Sequence, residues 1–209
     1  MKANNPSIVI SAPSGAGKTT LINRLLSSDD RLTFSVSTTT RPRRSNETDG
    51  KSYYFIAEDA FRGMVDRDEF IEWARVHGNC YGTSKKEIDR ICCIGKIPIF
   101  DVDVQGAKTL KGRLDSAVYI FIVPPSREVL ESRLRNRKTD SEEQIQIRLR
   151  NAIREMEEYA QYDYIVINDD LDVALNELRS IVTAELCKAE YVNHIIIEML
   201  EECSDNSDR

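Results

Sequence analysis

The amino-acid sequence predicts an α/β fold: a three-layer sandwich about a central parallel sheet, carrying a phosphate-binding loop (P-loop), an inserted α+β subdomain and a mobile lid. Three observations predict it. Short β-branched and aromatic runs alternate with longer amphipathic stretches, the pattern of parallel strands joined by helices that pack on a sheet. A loop rich in small residues and ending in Lys-Thr follows the first such run and opens a helical stretch. From about residue 35 to residue 90 the alternation gives way to short strand-like pieces and turn signals, the mark of an insertion.

The strands are expected at 7–11 (SIVIS), 98–102 (PIFDV), 117–123 (AVYIFIV) and 164–167 (YIVI). Each is apolar with little alternation, as strands buried on both faces require. Helical spacing of apolar residues follows each one, at 19–26, 105–114, 127–137 and 171–188, with Ser126 and Asp170 or Asp172 available as caps. Within the insertion, SYYFI and EFIEWA read as strands, Asp49-Gly50 as a turn and the stretch near 58–65 as a helix. The polar segment 136–143 lies between two helical patterns and reads as a surface loop. A last amphipathic helix is expected at 191–202, and 204–209 as a polar frayed tail. The organisation is thus one domain, 1–209: a core at 1–34, 91–135 and 147–190, a subdomain at 35–90, a lid at 136–146, and a C-terminal helix and tail at 191–209.

Composition bounds the function. A chain of 209 residues with 41% hydrophobic content can bury a core, so disorder is not the default. The formal net charge of −6 argues against a general nucleic-acid coat but not against a small anionic ligand in a local basic pocket. No apolar run approaches membrane-spanning length, and the start, MKANNPSIVI, lacks a cleavable signal pattern; a soluble, cytoplasmic protein with no membrane or nucleic-acid partner is expected. The five cysteines are odd in number and lack C-x-x-C spacing, and are read as free thiols.

The strongest local signal is Ala12-Pro13-Ser14-Gly15-Ala16-Gly17-Lys18-Thr19, which has the G-x-x-x-x-G-K-[ST] form with Ala12 in place of the first glycine. Between a buried strand and a helix, its backbone N–H groups and the helix N-terminus can converge on phosphate oxygens. Lys18 can bridge the β- and γ-phosphates of ATP and the Thr19 hydroxyl can bind Mg²⁺, with Thr20 completing the expected ATP-binding run. The methyl of Ala12 is tolerated if the backbone there keeps a negative φ. A P-loop alone does not name a reaction, because GTPases, motor ATPases and small-molecule kinases all carry one.

Downstream stand Phe34-Ser-Val-Ser-Thr-Thr-Thr-Arg-Pro-Arg-Arg44, Glu47, Asp49-Gly50-Lys51, Tyr53-Tyr54-Phe55, Phe70-Ile-Glu-Trp-Ala74, Gly78-Asn-Cys-Tyr-Gly-Thr83 and Asp101-Val-Asp-Val-Gln-Gly106. In this order after the P-loop, these segments closely resemble the guanylate kinase family, from about residue 7 to residue 172. The residues agree chemically. Arg41 and Arg44, with the hydroxyls of Ser37, Tyr53 and Tyr81, form a donor cluster suited to a dianionic phosphate. The resemblance implies that this phosphate is that of GMP, and that Glu72 and Thr83 read the base. A carboxylate accepts guanine N1–H and N2–H₂ as a bidentate pair, and threonine can donate to O6. Adenine would leave the carboxylate unpaired, a mismatch of about 3–5 kcal/mol.

Asp101 and Asp103 stand where open parallel sheets place ligands, and are assigned to the acceptor site, with Asp101 also a Mg²⁺ ligand through a water. Arg133, Arg137 and Arg148 flank the polar loop and match the family's lid, where Lys138 replaces an expected glycine; with Lys18 they are the expected catalytic groups. The resemblance implies that Asn168 approaches the adenine of ATP. No general base is needed, since a nucleoside monophosphate with a second pKa near ~6 is already largely dianionic at neutral pH. The expectation is therefore a Mg²⁺-dependent kinase with ATP and GMP as substrates and dGMP as a second acceptor. The alternatives are a non-catalytic scaffold of the same fold and a kinase for another nucleoside monophosphate.

Overall fold

The computed structural model describes residues 6–76, 78–114, 116–136 and 141–205. Its strands in chain order are β1 (Ser7–Ser11), β2 (Leu32–Phe34), β3 (Thr38–Thr39), β4 (Tyr54–Phe55), β5 (Phe70–Val76), β6 (Asn79–Ser84), β7 (Ile97–Asp101), β8 (Ala117–Val123) and β9 (Tyr164–Ile167). The helices are α1 (Lys18–Ser28), α2 (Glu58–Asp66), α3 (Lys85–Cys93), α4 (Val104–Lys111), α5 (Arg127–Arg135), α6 (Glu142–Met156), α7 (Leu171–Leu186) and α8 (Ala189–Asp205), with a 3₁₀ turn at Glu157–Gln161.

Five strands form a wholly parallel sheet in the order β2-β7-β1-β8-β9. Strand β1 lies in the middle and is buried along its whole length, which is why SIVIS carries no alternation. Its side chains serve two cores. Ile8 and Ile10 pack with Leu21, Ile22 and Leu25 of α1 and Ala174, Leu178 and Val182 of α7. Val9 joins Phe100, Tyr119 and the α4 residues Ala107 and Leu110. Two faces covered by different helices make the three-layer sandwich that the alternating pattern predicts.

The second sheet, of order β4-β3-β6-β5, is mixed: β3 pairs with β4 in parallel and with β6 antiparallel, and β5 with β6 antiparallel. It has its own core of Phe61, Phe70 and Cys80, the two phenylalanines stacked with ring centroids 4.4 Å apart. Helices α5 and α6 form a third unit around Leu130, Leu134, Ile145, Leu149 and Ala152. Ser141 begins α6 with a capping box to Gln144.

The expected elements shift in detail. The strand expected at 98–102 begins one residue earlier, because Ile97 pairs with Leu32 of β2. The helix expected at 105–114 ends at Lys111, and that expected at 127–137 at Arg135. Ser126 and Asp170 do cap their helices. Helix α3, capped by Ser84, and the three-residue β2 were not expected. The last helix runs through Asp205, into the stretch expected to fray, and its Ile195, Ile196, Ile197, Met199 and Leu200 are exposed. Cys80, Cys92, Cys93 and Cys187 are free thiols. No described helix is long and apolar enough to cross a membrane.

Candidate functional site

The carboxyl end of β1 turns through residues 12–17 into α1, and the loop lines a cavity of about 320 Å³ that also receives Lys18, Thr19, Thr20, Asp103 and Glu155. Gly15 and Gly17 have φ of +94° and +91°, so the loop needs glycine at both. Asp68 is the one non-glycine residue at positive φ among those described, so Ala12 meets the condition its methyl imposes. Lys18 Nζ lies 2.6 Å from Asp101 Oδ1 at the end of β7 and donates to the Val102 carbonyl at 2.5 Å. The ammonium and the carboxylate thus share one crevice at the carboxyl ends of adjacent strands, where open α/β sheets bind ligands.

Asp103 caps α4, accepting from Gly106 N–H at 2.7 Å, and also lines the phosphate cavity. Asn168 is buried behind the loop. Its Nδ2 donates to the Ala16 carbonyl at 2.7 Å, and its own carbonyl accepts from Arg133 Nη2 at 2.9 Å. Arg133 and Asn168 therefore brace the loop from behind, with Arg133 Nη1 buried and without a partner among the described residues. Arg148 is half-buried on α6, and Arg137 and Lys138 lie outside the described residues.

The acceptor residues gather on the second sheet. Thr83 of β6 pairs with Glu72 of β5 across the ladder, and its Oγ1 donates to Glu72 Oε1 at 2.8 Å. Both are buried. Burial pushes the Glu72 carboxyl above the usual range; hydrogen bonds from Thr83 act against this, while the Asp103 charge adds to it. Gly82, which precedes Thr83 and pairs with Trp73, is required by a close approach, because a Cβ there would stand 2.8 Å from the Glu72 carbonyl and from Trp73 Cβ. Tyr53 packs edge-on to Tyr81 at 5.9 Å, with the Arg41 guanidinium 5.5 Å over the Tyr53 ring. Burial raises the Tyr53 hydroxyl, and the Asp101 charge adds to it. Ser37 precedes β3 and Arg44 is exposed.

Three residues were not assigned from sequence. Glu47 accepts from Arg41 Nη2 at 2.6 Å and from the Arg44 backbone N–H at 2.8 Å, so it orients the Arg41 guanidinium and fixes the turn at Arg44; its place in the motif was visible but its partner was not. Glu155 accepts from the Ser14 N–H at 3.3 Å inside the phosphate cavity. Glu87 is buried and bonded to the Val36 N–H ahead of β3 and to the Tyr54 hydroxyl of β4. In sequence the last two are acids on amphipathic helices, indistinguishable from solvated ones.

A P-loop on the central strand of a parallel sheet, with an inserted sheet of basic, aromatic and acidic groups beside it, defines a P-loop α/β protein with a separate acceptor subdomain. The family model described as guanylate kinase matches residues 4–185. A guanylate kinase of Geobacter metallireducens is 47% identical over 201 residues, covering 96% of this chain and 99% of that protein. One of Syntrophotalea carbinolica is 48% identical over 192 residues, covering 92% and 91%. The crystal structure of guanylate kinase from Anaplasma phagocytophilum superposes with a TM-score of 0.71 at 32% identity, covering 91% of each chain. The chain belongs to the guanylate kinase family.

Proposed function

We propose that this protein catalyses Mg²⁺-dependent transfer of the γ-phosphoryl group of ATP to GMP, giving ADP and GDP, with dGMP as a second acceptor. Family membership supports the reaction class. The observation that carries the choice of acceptor is the buried Glu72–Thr83 pair, a carboxylate and a hydroxyl joined at 2.8 Å and shielded from water. An ionised Glu72 accepts guanine N1–H and N2–H together, and Thr83 turns its hydrogen to O6.

Ser37, Arg41, Arg44, Tyr53 and Tyr81 would hold the GMP phosphate, with Glu47 fixing the Arg41 side chain and the Arg44 backbone. Residues 12–20 would hold the ATP phosphates, and Asn168 would keep the loop in shape from behind while approaching the adenine. The donor set of Thr19 hydroxyl and Asp101 carboxylate is the hard oxygen chemistry that suits Mg²⁺, which when bound neutralises phosphate charge. Lys18 would leave Asp101 for the β- and γ-phosphates, and Arg133, Arg137 and Arg148 would neutralise the charge spread over the transferring oxygens. The segment at 136–146, of which 137–140 lie outside the described residues, would act as the lid, excluding water so that GMP rather than water receives the phosphoryl group.

The test is ADP release over AMP, CMP, UMP, GMP and dGMP, with and without EDTA. GMP should exceed AMP by at least about 10²-fold in kcat/KM, and EDTA should abolish turnover. Equal rates with AMP and GMP would overturn the acceptor assignment.

A further inference from the structure

Glu87 has a side chain only 1% exposed and is the most heavily engaged carboxylate of the inserted unit. Oε1 accepts from the Val36 N–H at 3.0 Å and from Arg90 Nη2 at 2.8 Å. Oε2 accepts from the Tyr54 hydroxyl at 3.1 Å and from Arg90 Nε at 2.8 Å. Its own N–H is received by Ser84 Oγ at 3.2 Å. Burial works against the charge, but the Arg90 guanidinium, the Val36 N–H and the Tyr54 hydroxyl outweigh it and hold the carboxyl below the usual range.

The partners share one property. Val36 precedes Ser37, Tyr54 follows Tyr53, and Ser84 follows Thr83. The Glu87 carboxylate therefore bonds the chain neighbours of two separate phosphate-acceptor groups, while the Ser84 bond is made by the Glu87 backbone and caps α3. Ser37 is bracketed further, since its carbonyl accepts from the Tyr54 N–H at 2.9 Å. A bidentate arginine alone would satisfy a buried carboxylate. The additional bonds to Val36 and Tyr54 bind α3 to the segments that carry the acceptor groups.

Resting on the acceptor reading above, we infer that Glu87 is a positioning residue for GMP: it touches no substrate, and its carboxylate sets the spacing of Ser37 and Tyr53 through the residues beside them. Glu87→Gln keeps the shape but turns an amide N–H₂ toward the Val36 N–H or the Tyr54 hydroxyl. Tyr54→Phe removes one bond and keeps the ring.

Steady-state kinetics and thermal unfolding of the full chain test this. Glu87→Gln should raise the KM for GMP about 10-fold, as expected for one bond to a buried charge. Its KM for ATP and its kcat at saturating GMP should stay within about twofold of wild type. Tyr54→Phe should act in the same direction by about threefold, with an unchanged melting temperature. The inference is overturned if both variants keep the wild-type KM for GMP, or if kcat and both KM values worsen together with a lowered melting temperature, the signature of a merely structural role. Should Glu87→Gln not fold, Tyr54→Phe decides alone. A wild-type chain without GMP-dependent turnover would instead sink the acceptor reading.

Discussion

Thr83 Oγ1 donates to Glu72 Oε1 at 2.8 Å, so the two groups proposed to read the base are bonded to each other. The bond orients the carboxylate and gives it one donor. In the proposed complex guanine would replace that donor with two and receive the threonine hydrogen at O6, an exchange of hydrogen bonds within a dry site.

Glu72→Gln should raise the KM for GMP by at least about 10²-fold, because an amide N–H₂ then opposes guanine N1–H or N2–H₂. It should also stabilise the free protein. A carboxyl whose folded pKa is raised contributes stability that is present below its unfolded pKa and lost as pH rises through the folded value. At pH 7.5 the neutral amide avoids that loss, and the melting temperature should rise by about 2–4 °C, equivalent to about 1 kcal/mol. At pH 4 the gain should vanish. Calorimetry at the two pH values checks the sign, and a lower melting temperature at pH 7.5 refutes it.

Lys18→Ala should lower kcat at least about 10²-fold and leave the KM for GMP near wild type, since the lysine acts on the donor phosphates. It also leaves Asp101 facing the crevice without its 2.6 Å partner. Initial rates at varied GMP separate the two constants. A changed KM for GMP with a normal kcat would move Lys18 to the acceptor side.

Gly17→Ala should damage the loop in two ways. The residue has φ of +91°, and the new Cβ would stand 2.4 Å from Asn168 Nδ2, the group that holds the Ala16 carbonyl. A cost of about 2 kcal/mol should lower the melting temperature by about 4–8 °C. Isothermal titration with ATP should show affinity reduced at least about 10-fold. A variant with normal melting and normal ATP affinity would show that the brace is dispensable.

Glu155→Gln should tighten ATP binding, by about 3–10-fold in dissociation constant. Its carboxylate takes the Ser14 N–H, one of the donors a phosphate needs, and faces the incoming triphosphate with like charge. Burial also pushes its carboxyl above the usual range, so an uncharged side chain is tolerated there. Weaker ATP binding in the variant would mean instead that the carboxylate helps to hold the nucleotide or its metal.

Some of this was legible in the sequence because the physics is local. Strands β1 and β8 appear with the expected bounds, since a strand buried on both faces is apolar at every position; β9 also keeps its bounds, although as the edge strand it leaves Ile165 and Ile167 exposed. Strand β2 and helix α3 were not visible. Three residues make too short a run, and KKEIDRICC is mostly charged, its burial resting on Glu87 and Ile91. Arg133 was expected at the transferring phosphoryl group, and its bond to Asn168 lies outside any local pattern, 35 residues away in the chain.

By itself the sequence determined the α/β alternation, the P-loop and the order of the acceptor motifs, all of which depend on spacing along a few consecutive residues. Tertiary structure decided which charges meet. Lys18 is joined to Asp101, Glu47 to Arg41, Glu155 to the Ser14 amide and Glu87 to Val36 and Tyr54. A lone acid on a helix carries no mark of its partner. Only folding brings the donor within about 3 Å and removes the water that would otherwise satisfy both.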